Sequence, residues 1–201
     1  MSANGPDTRQ SNQPYPFLSE IADIRRRARQ HITEGAVTPN YAADRDTVLR
    51  LLNEALATEI VCVLRYRRHY FMATGIIAEA IKDEFLKHSQ EEQGHADQLA
   101  ERIVQLGGEP NLSPAGILDR SHSEYQEGET LGDMVEEDLI AERIAIESYN
   151  EMIQYLGTKD PTTRRLFESI LAVEEKHAEE LASMRQDIQR HERAIGPGTS
   201  N

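Results

Sequence analysis

The motif Glu-x-x-His occurs twice in this chain, and each copy lies within a long stretch of helix-forming residues. One copy runs from Glu92 to His95 and the other from Glu174 to His177. Residues three apart lie side by side on one face of an α-helix, so each motif points a carboxylate and an imidazole in the same direction. Two such faces constrain the fold, because the helices that carry them must either bury these groups together or expose both to water.

A single glutamate precedes each motif by about the length of one long helix. Glu59 lies 33 residues before Glu92, and Glu142 lies 32 residues before Glu174. The chain therefore repeats one pattern of candidate ligands in two halves that share little other sequence. A glutamate followed by Glu-x-x-His in each half is typical of four-helix bundles that hold a pair of metal ions.

Glycine residues divide the chain into helices. Breaks at Gly75, at Gly107 and Gly108, and at Gly157 separate four long periodic stretches. We predict long helices at 45–74, 77–106, 130–156 and 161–193. The connection at 109–129 is long enough to run the length of a bundle, as parallel second and third helices would require. The predicted fold is all-α, a four-helix bundle with one long crossover connection between helices two and three.

Changes in composition predict the domain boundaries. Residues 1–40 hold a polar tail, which we expect to be disordered over residues 1–18, and a short basic helix at 19–33. Residues 41–193 form the bundle, and residues 194–201 form a flexible tail. The basic helix carries four arginines that could bind nucleic acid or pack on an acidic shell: Arg25, Arg26, Arg27 and Arg29.

Helical periodicity places the six candidate ligands on buried faces. In each predicted helix they fall in step with apolar residues, as Glu59 does with Leu52, Leu56 and Val63. Unpaired carboxylates at that depth would each cost several kcal/mol, and a pair of metal ions would offset this cost. We therefore predict six residues that bind metal and carry the chemistry: Glu59, Glu92, His95, Glu142, Glu174 and His177.

Four carboxylates and two imidazoles suit iron or manganese better than zinc, which prefers fewer ligands in a tetrahedron. We expect Glu92 and Glu174 to bridge the two ions. The remaining ligands supply one glutamate and one histidine to each ion, Glu59 with His95 and Glu142 with His177. Four negative charges balance two divalent ions and stabilise a ferric product, so the site favours oxidation of Fe(II). The expected complement is two iron ions per chain.

Two residues near the predicted ligands could support them. Tyr66 lies two turns from Glu59 on the same face and could hydrogen-bond to a ligand, donate an electron or fill the core. Asp138 lies four residues before Glu142 and could orient a histidine ligand or lie in solvent. His88 is a weaker candidate for a supporting role.

Other polar residues are expected at the surface, whereas Cys62 is expected to be small buried filler. The histidines and acids assigned to the surface are His31, His69, His122, His191, Glu91, Glu175, Glu179 and Glu180.

The acidic composition narrows the possible functions. The formal net charge is −13 over 201 residues, which argues against DNA binding by the folded body and suits a protein that attracts cations. Cys62 is the only cysteine, so an intrachain disulfide is excluded and a reducing, cytoplasmic setting is expected. No apolar run approaches the roughly 18 residues needed to cross a bilayer, so no membrane contact is expected.

Four segments of the chain resemble the four helices of bacterioferritins. They read LLNEALATEIVCVLRYRRHYFM, EEQGHADQLAERIVQLGGEPNL, EEDLIAERIAIESYNEMI and ILAVEEKHAEEL. The resemblance covers residues 45–190 and implies a ferritin-like four-helix bundle, here preceded by an accessory N-terminal helix. It also implies that the six candidate ligands form a ferroxidase centre. Such a centre oxidises iron ions with O2 or H2O2 and passes the ferric product into a shell of identical subunits.

Several features of this sequence differ from those of bacterioferritins. Gln93 stands where bacterioferritins carry the methionine that binds haem between subunits, so haem is not expected. No short fifth helix is expected after the bundle, whereas an additional N-terminal helix and a longer middle connection are. These features resemble Dps-like ferritins, which assemble twelve subunits but whose best-known members carry paired cysteines that are absent here. We expect a homo-oligomeric 12-mer, with a 24-mer as the alternative.

Two other classes of function fit parts of the sequence. A non-storage di-iron carboxylate enzyme, such as an oxidase, a peroxidase or an oxygenase, would share the ligand pattern. Oxygenase chains are usually much longer, and rubrerythrin-type peroxidases, the closer rival, would need cysteine pairs that are missing here. A Dps-type protein that protects the nucleoid would use the arginine-rich segment. Particle size with iron content separates storage from the solitary enzymes, and a salt-dependent shift of DNA would support the last class.

Overall fold

The computed structural model describes residues 19–75 and 77–195, and this part of the chain contains helices and turns but no β-strand. The predicted disordered tail at 1–18 and most of the predicted C-terminal tail lie outside the described residues. The helices are α1 (Ile21–Arg27), α2 (Arg45–Met72), α3 (Ala78–Gln105), α4 (Ile117–Arg120), α5 (Leu131–Leu156) and α6 (Pro161–Ile195). The all-α prediction is confirmed. None of these described helices combines the length and the apolar character needed to span a bilayer.

The chain divides into two units, Met1–Asn40 and Tyr41–Asn201. In the described part of the first unit, α1 has only seven residues and is followed by one 3-10 turn. The predicted basic helix at 19–33 is therefore wrong in length. His31 has a φ of 50°, in the left-handed region, and a right-handed helix cannot continue through such a residue.

Side-chain caps fix where the long helices of the second unit begin. The Asp44 carboxylate accepts a hydrogen bond of 2.8 Å from the backbone N–H of Thr47, which caps α2. Thr130 and Asp133 form a reciprocal capping box at the start of α5. At the other end of α2, Gly75 has a φ of 111°, and the chain turns there towards α3.

The four long helices form two hairpins, because α2 packs along α3 and α5 packs along α6. Hydrogen bonds join Tyr66 of α2 to Glu142 of α5 and Tyr149 of α5 to Glu59 of α2, so α2 and α5 are antiparallel. The short turn between α2 and α3 makes that pair antiparallel as well. Consequently α3 and α5 are parallel, and residues 106–130 cross the length of the bundle between them. This arrangement is the predicted one-crossover bundle.

The inward faces of the long helices carry the apolar core. Leu52 and Leu56 of α2, Leu99 of α3 and Ile170 of α6 are almost completely buried, as the periodicity predicted. Burial of one such side chain contributes about 1.5–3 kcal/mol. The six candidate ligands lie in the same stripes, so the fold holds charged groups at a depth where only strong partners compensate for lost water.

The Asp160 carboxylate caps the N-terminus of α6 and lies in a buried hydrogen-bond network. Its carboxylate accepts hydrogen bonds from the backbone N–H of Thr163 (2.9 Å), the Tyr41 hydroxyl (2.7 Å) and the Arg102 guanidinium (2.9 Å). Burial alone would raise the pKa of Asp160. The hydrogen bonds from Thr163 and Tyr41 and the charge of Arg102 outweigh burial and lower that pKa below its usual value.

We expect Asp160→Ala to lower the free energy of unfolding at pH 7 by about 2–4 kcal/mol, because α6 loses its cap and Arg102 stays buried without its counter-ion. A depressed folded-state pKa stabilises the fold above the unfolded value of about 4, and this contribution is lost as pH falls through the folded value. Urea unfolding should therefore show that the difference in free energy of unfolding between Asp160→Ala and wild type becomes smaller below about pH 4. The exposed neighbour serves as the control, with Lys159→Ala changing stability by less than about 0.5 kcal/mol. A gap that stays constant down to pH 3 would contradict the role of the ionised carboxylate.

Candidate metal centre

All six predicted ligands converge in the middle of the bundle. One glutamate comes from each of α2 and α5, and one Glu-x-x-His pair comes from each of α3 and α6. The helical register explains this meeting, since each pair lies on the inward face of its helix. All six side chains are buried, and His95 is the most accessible of them at 6% exposed.

The ligands form two donor sets that share two carboxylates. Within each set the candidate ligand atoms lie within 4.8 Å of one another. The first set is Glu59, Glu92, His95 and Glu174, and the second is Glu92, Glu142, Glu174 and His177. The shared members, Glu92 and Glu174, are the two residues for which bridging was predicted.

Each shared carboxylate turns one oxygen towards each histidine. Glu92 Oε2 lies 3.2 Å from His95 Nδ1, and its Oε1 lies 3.1 Å from His177 Nδ1. Glu174 Oε1 lies 2.9 Å from His95 Nδ1, and its Oε2 lies 3.5 Å from His177 Nδ1. Two ligands of one ion are separated by roughly 3–4 Å when each lies about 2.1 Å from it. The geometry is therefore that of two carboxylates that can bridge two ions.

The other two glutamates each face a single histidine. Glu59 Oε2 lies 3.4 Å from His95 Nδ1, and Glu142 Oε1 lies 3.9 Å from His177 Nδ1. This division matches the predicted assignment of one terminal glutamate and one histidine to each ion.

Three buried carboxylate oxygens have no hydrogen-bond partner among the described residues: Oε2 of Glu142 and both oxygens of Glu174. His95 Nδ1 approaches Glu174 Oε1 to 2.9 Å, but not with the geometry of a hydrogen bond. A buried polar atom without a partner costs about 1–3 kcal/mol, and more when it is charged. Metal ions would supply the missing partners, so this donor set fits a pair of cations.

The four carboxyl groups divide into two kinds. Burial, followed by the charge of Glu92, raises the pKa of Glu59 to about 8. Burial, followed by the charges of Glu92 and Glu174, raises the pKa of Glu142 well above its usual value. The pKa values of Glu92 and Glu174 are lowered, because their contacts with the histidines and a terminal glutamate outweigh burial and like charge. The terminal carboxyls therefore favour the protonated form and the shared ones the ionised form.

The two histidines favour the protonated form in the metal-free protein. Burial alone would lower the pKa of each imidazole, but the surrounding carboxylates outweigh it. Contacts with Glu174 and Glu92 raise the pKa of His177 to about 10. Contacts with Glu174, Glu59 and Glu92 raise the pKa of His95 as well. Protons thus neutralise the centre when no cation does, and ions that bind there must displace them.

We expect the affinity of the centre for a divalent ion such as Co(II) to keep rising between about pH 6 and about pH 8. The reason is that Glu59 and His177 hold their protons to pH values of about 8 and about 10. Ordinary glutamate and histidine side chains lose theirs by about pH 6.5. Calorimetric titration in two buffers with different ionisation enthalpies would count the protons released. An affinity that levels off above about pH 6.5 would contradict these shifts.

Two tyrosines hydrogen-bond to the terminal glutamates across the two hairpins. The Tyr66 hydroxyl donates to Glu142, and the Tyr149 hydroxyl donates to Glu59. Each tyrosine lies seven residues after the glutamate of its own helix, so the internal repeat extends beyond the ligands. The hydrogen bond suggested for Tyr66 is present. Tyr149 was missed, although the shared Glu-to-Tyr spacing was a signal that could have identified it.

Two acids between α3 and α6 lie closer to the centre than predicted. Glu91 and Glu180 were assigned to the solvent face, but Glu91 Oε2 lies 2.7 Å from His177 Nε2 and Glu180 Oε2 lies 2.9 Å from His88 Nε2. His88 is fully buried and its ring stacks on His177 with 4.0 Å between ring centroids. The error arises because α3 and α6 approach closely enough for acids at the edge of one buried stripe to contact the other helix.

Asp138 supports a different histidine from the one predicted. Its Oδ2 lies 2.8 Å from Nδ1 of His69, and its Oδ1 accepts a 2.8 Å hydrogen bond from Arg65 Nε. His69 was assigned to the surface, but it is fully buried, and its Nε2 lies 3.0 Å from the Glu127 carbonyl oxygen. Arg65 also donates to the Glu124 carbonyl. Asp138 thus joins α2, α5 and the crossover connection instead of orienting a ligand of the centre.

Cys62 is buried as predicted, and its Sγ accepts a hydrogen bond of 3.5 Å from the Arg65 guanidinium. Burial raises the pKa of this thiol, so it stays protonated near neutral pH.

The fold and the arrangement of these side chains are those of helical bundles that hold two metal ions between carboxylates and histidines. The family model described as Ferritin-like domain matches residues 49–191. The chain belongs to this family, and the predicted ferritin-like fold is confirmed.

Relatives fall into the two groups to which the sequence was compared. Bacterioferritin from Mycobacterium avium is 33% identical over 135 residues, which cover 67% of this chain and 80% of the relative. The DNA protection during starvation protein from Pyrococcus furiosus is 33% identical over 137 residues, covering 67% and 74%. Among solved structures, the dodecameric thioferritin of Bacteroides fragilis, a bacterioferritin-related protein, superposes with a TM-score of 0.73 at 28% identity. That superposition covers 78% of this chain and 94% of the thioferritin.

Proposed function

We propose that this protein is a ferroxidase and an iron store, which oxidises Fe(II) with O2 or H2O2 and keeps the ferric product inside an oligomeric shell. The observation that carries the proposal is the pair of donor sets that share Glu92 and Glu174. Two ions bound this way lie side by side, so both can give an electron to one oxidant. The buried oxygens without hydrogen-bond partners support the same conclusion, because cations are the partners that suit them.

The residues divide the work as follows. Two Fe(II) ions are the substrate, and together they supply the two electrons that, with two protons, reduce H2O2 to two water molecules or O2 to H2O2. Glu92 and Glu174 hold the ions at a fixed separation, and their negative charge favours the ferric state. Tyr66 and Tyr149 fix the orientation of the terminal carboxylates through their hydrogen bonds. Gln93 is exposed and donates a 3.0 Å hydrogen bond to Asp97. The absence of a haem between subunits stays a prediction that rests on this glutamine.

A shell of identical subunits is part of the proposal. On α2, the exposed fractions are 51% for Leu64, 70% for Phe71 and 51% for Met72. Large apolar side chains at the surface support burial against another subunit. The Bacteroides relative is named as dodecameric, which favours a 12-mer here over a 24-mer. A cytoplasmic setting stays a prediction that rests on the single cysteine.

Native mass and iron content, measured before and after Fe(II) is added in air, test the proposal. We expect a closed particle that takes up far more iron than two ions per chain. A monomer or dimer that never exceeds its two-ion complement would reject storage and favour a solitary di-iron enzyme. The net charge of −13 argues against DNA as a partner, and a salt-dependent shift of DNA by the protein would favour nucleoid protection instead.

A further inference from the structure

A second group of ligand-type side chains lies between α3 and α6, outside the centre. The buried His88 Nε2 lies 2.9 Å from Glu180 Oε2 and 3.9 Å from Glu84 Oε2. Two ligands of one ion are at most about 4.2 Å apart when each lies about 2.1 Å from it, so both distances fit a single ion. The side chains of Glu84 and Glu180 are 36% and 29% exposed, so cations in solvent can reach them.

Lys87 already places a positive charge between the two carboxylates. Its ammonium nitrogen lies 2.9 Å from Glu84 Oε2 and 3.2 Å from Glu180 Oε2. Its side chain is 39% exposed and can move into solvent when another cation arrives. The two acids therefore converge on a position that a cation occupies, and the His88 imidazole adds a nitrogen ligand suited to a transition metal.

The internal repeat contains this group in only one of its two halves. Counting from the ligand glutamates, Glu84, His88 and Glu91 of α3 correspond to positions on α6 that carry no donor. The residues at those positions are Leu166, Ile170 and Val173. The ligands of the centre are repeated in both halves, whereas this additional group occurs in one half alone.

His88 also connects the outer group to the centre. Its ring stacks on His177, and the ligand atoms of His88, Glu91 and His177 lie within 4.8 Å of one another. His177 turns Nδ1 towards the centre and Nε2 towards Glu91. Ligand atoms therefore follow one another from the partly exposed Glu84 and Glu180 to the buried centre.

We propose that Glu84, His88 and Glu180 form a third cation site, which binds a divalent transition metal ion. One imidazole and two carboxylates, with further positions open to water, suit Fe(II), Mn(II), Co(II) or Zn(II). Fe(II) bound there passes to the centre along Glu91 and His177. This passage rests on the proposed ferroxidase function, whereas the existence of the site does not.

Calorimetric titration of the full-length, metal-free protein with Co(II) tests the site without any oxidation. Glu180→Gln is expected to bind one ion per chain fewer than wild type, or to bind it at least about tenfold more weakly. The matched control is Glu179→Gln, which removes the same charge from an exposed neighbour and should bind as wild type does. Circular dichroism verifies that both variants keep their helices. Equal binding by Glu180→Gln and wild type would overturn the proposal.

Lys87→Gln is expected to change the Co(II) affinity of the third site in the opposite direction. Removing the competing ammonium should tighten Co(II) binding at the third site by about threefold or more. A loss of helical structure cannot mimic this result, because it would weaken binding. Unchanged or weaker binding in Lys87→Gln would count against the proposed position of the ion.

Glu92→Ala separates this inference from the proposed function. That variant should lose binding at the centre but keep the one ion that Glu180→Gln removes. If wild type binds only the ion sensitive to Glu180→Gln, the third site stands and the di-metal centre fails. If Glu92→Ala binds no Co(II) at all, the third site is not independent and this proposal is wrong.

Discussion

Replacing Glu92 with alanine is expected to lower the initial rate of Fe(II) oxidation by at least about 100-fold, because residues that only support metal ligands already cost 10–100-fold when removed. Glu92 belongs to both donor sets and offers one oxygen to each histidine, so its loss affects both ions at once. Stopped-flow absorbance of ferric product after mixing with Fe(II) in air measures the rate. Oxidation at the wild-type rate would show that the centre is elsewhere.

The stability of the metal-free variant distinguishes a lost ligand from a damaged fold. Glu92→Ala removes an ionised carboxylate that contacts two protonated histidines, so the metal-free variant should be less stable than wild type, and urea unfolding shows whether it stays folded under the assay conditions. Gln93→Ala is the matched control, since it changes the adjacent exposed residue and should oxidise Fe(II) normally. A variant that is both slow and largely unfolded would not bear on the assignment, and Glu92→Gln would then replace it.

Asp138→Ala is expected to lower the free energy of unfolding by about 3–5 kcal/mol, the largest stability effect of any substitution considered for this chain. The side chains of Asp138 and Arg65 are 0% and 1% exposed, and truncation would leave the guanidinium buried without its counter-ion. His69 would lose its carboxylate partner in the same step. Arg65 and His69 also contact the crossover connection. The protection of that connection from amide hydrogen exchange should therefore fall together with the global stability.

Urea unfolding with a neighbouring control measures this effect. Glu137→Ala removes the adjacent, partly exposed acid and should change the free energy of unfolding by less than about 0.5 kcal/mol. Asp138→Asn keeps the shape but removes the charge, so its loss should lie between those of the other two variants. A decrease in the free energy of unfolding below about 1 kcal/mol in Asp138→Ala would mean that this ion pair stabilises the fold no more than a surface ion pair does.

The candidate ligands could be found from the sequence because their positions follow from rules local to each helix. Spacing of three residues within each motif fixes a shared face, and periodicity shows that this face is buried. The repeat in the second half then reveals that two such faces belong to one site. The same reasoning applied to Glu59 and Glu142 extends naturally to Tyr66 and Tyr149, each seven residues further along.

The environment of Asp138 and the group around His88 could not be found this way, because both depend on distances between helices. Asp138 contacts Arg65 and His69 from another helix, and these residues in turn contact carbonyl oxygens of the crossover connection. Every residue has a backbone carbonyl, so the sequence does not reveal which carbonyl oxygens accept these hydrogen bonds. Glu180 lies beside the buried stripe, and only the approach of α3 to α6 brings it to His88.

The crossover connection has a consequence for how the chain reaches its native state. Contacts within each hairpin join residues close in sequence and form early, whereas contacts between hairpins must first close the long loop. The final step of folding therefore brings four acidic side chains together at the seam between two finished hairpins. These acids repel one another until protons or metal ions neutralise them. Protons take this role at neutral pH, where Glu59 and His177 hold theirs, so the metal-free chain can complete this step and metal ions displace the protons afterwards.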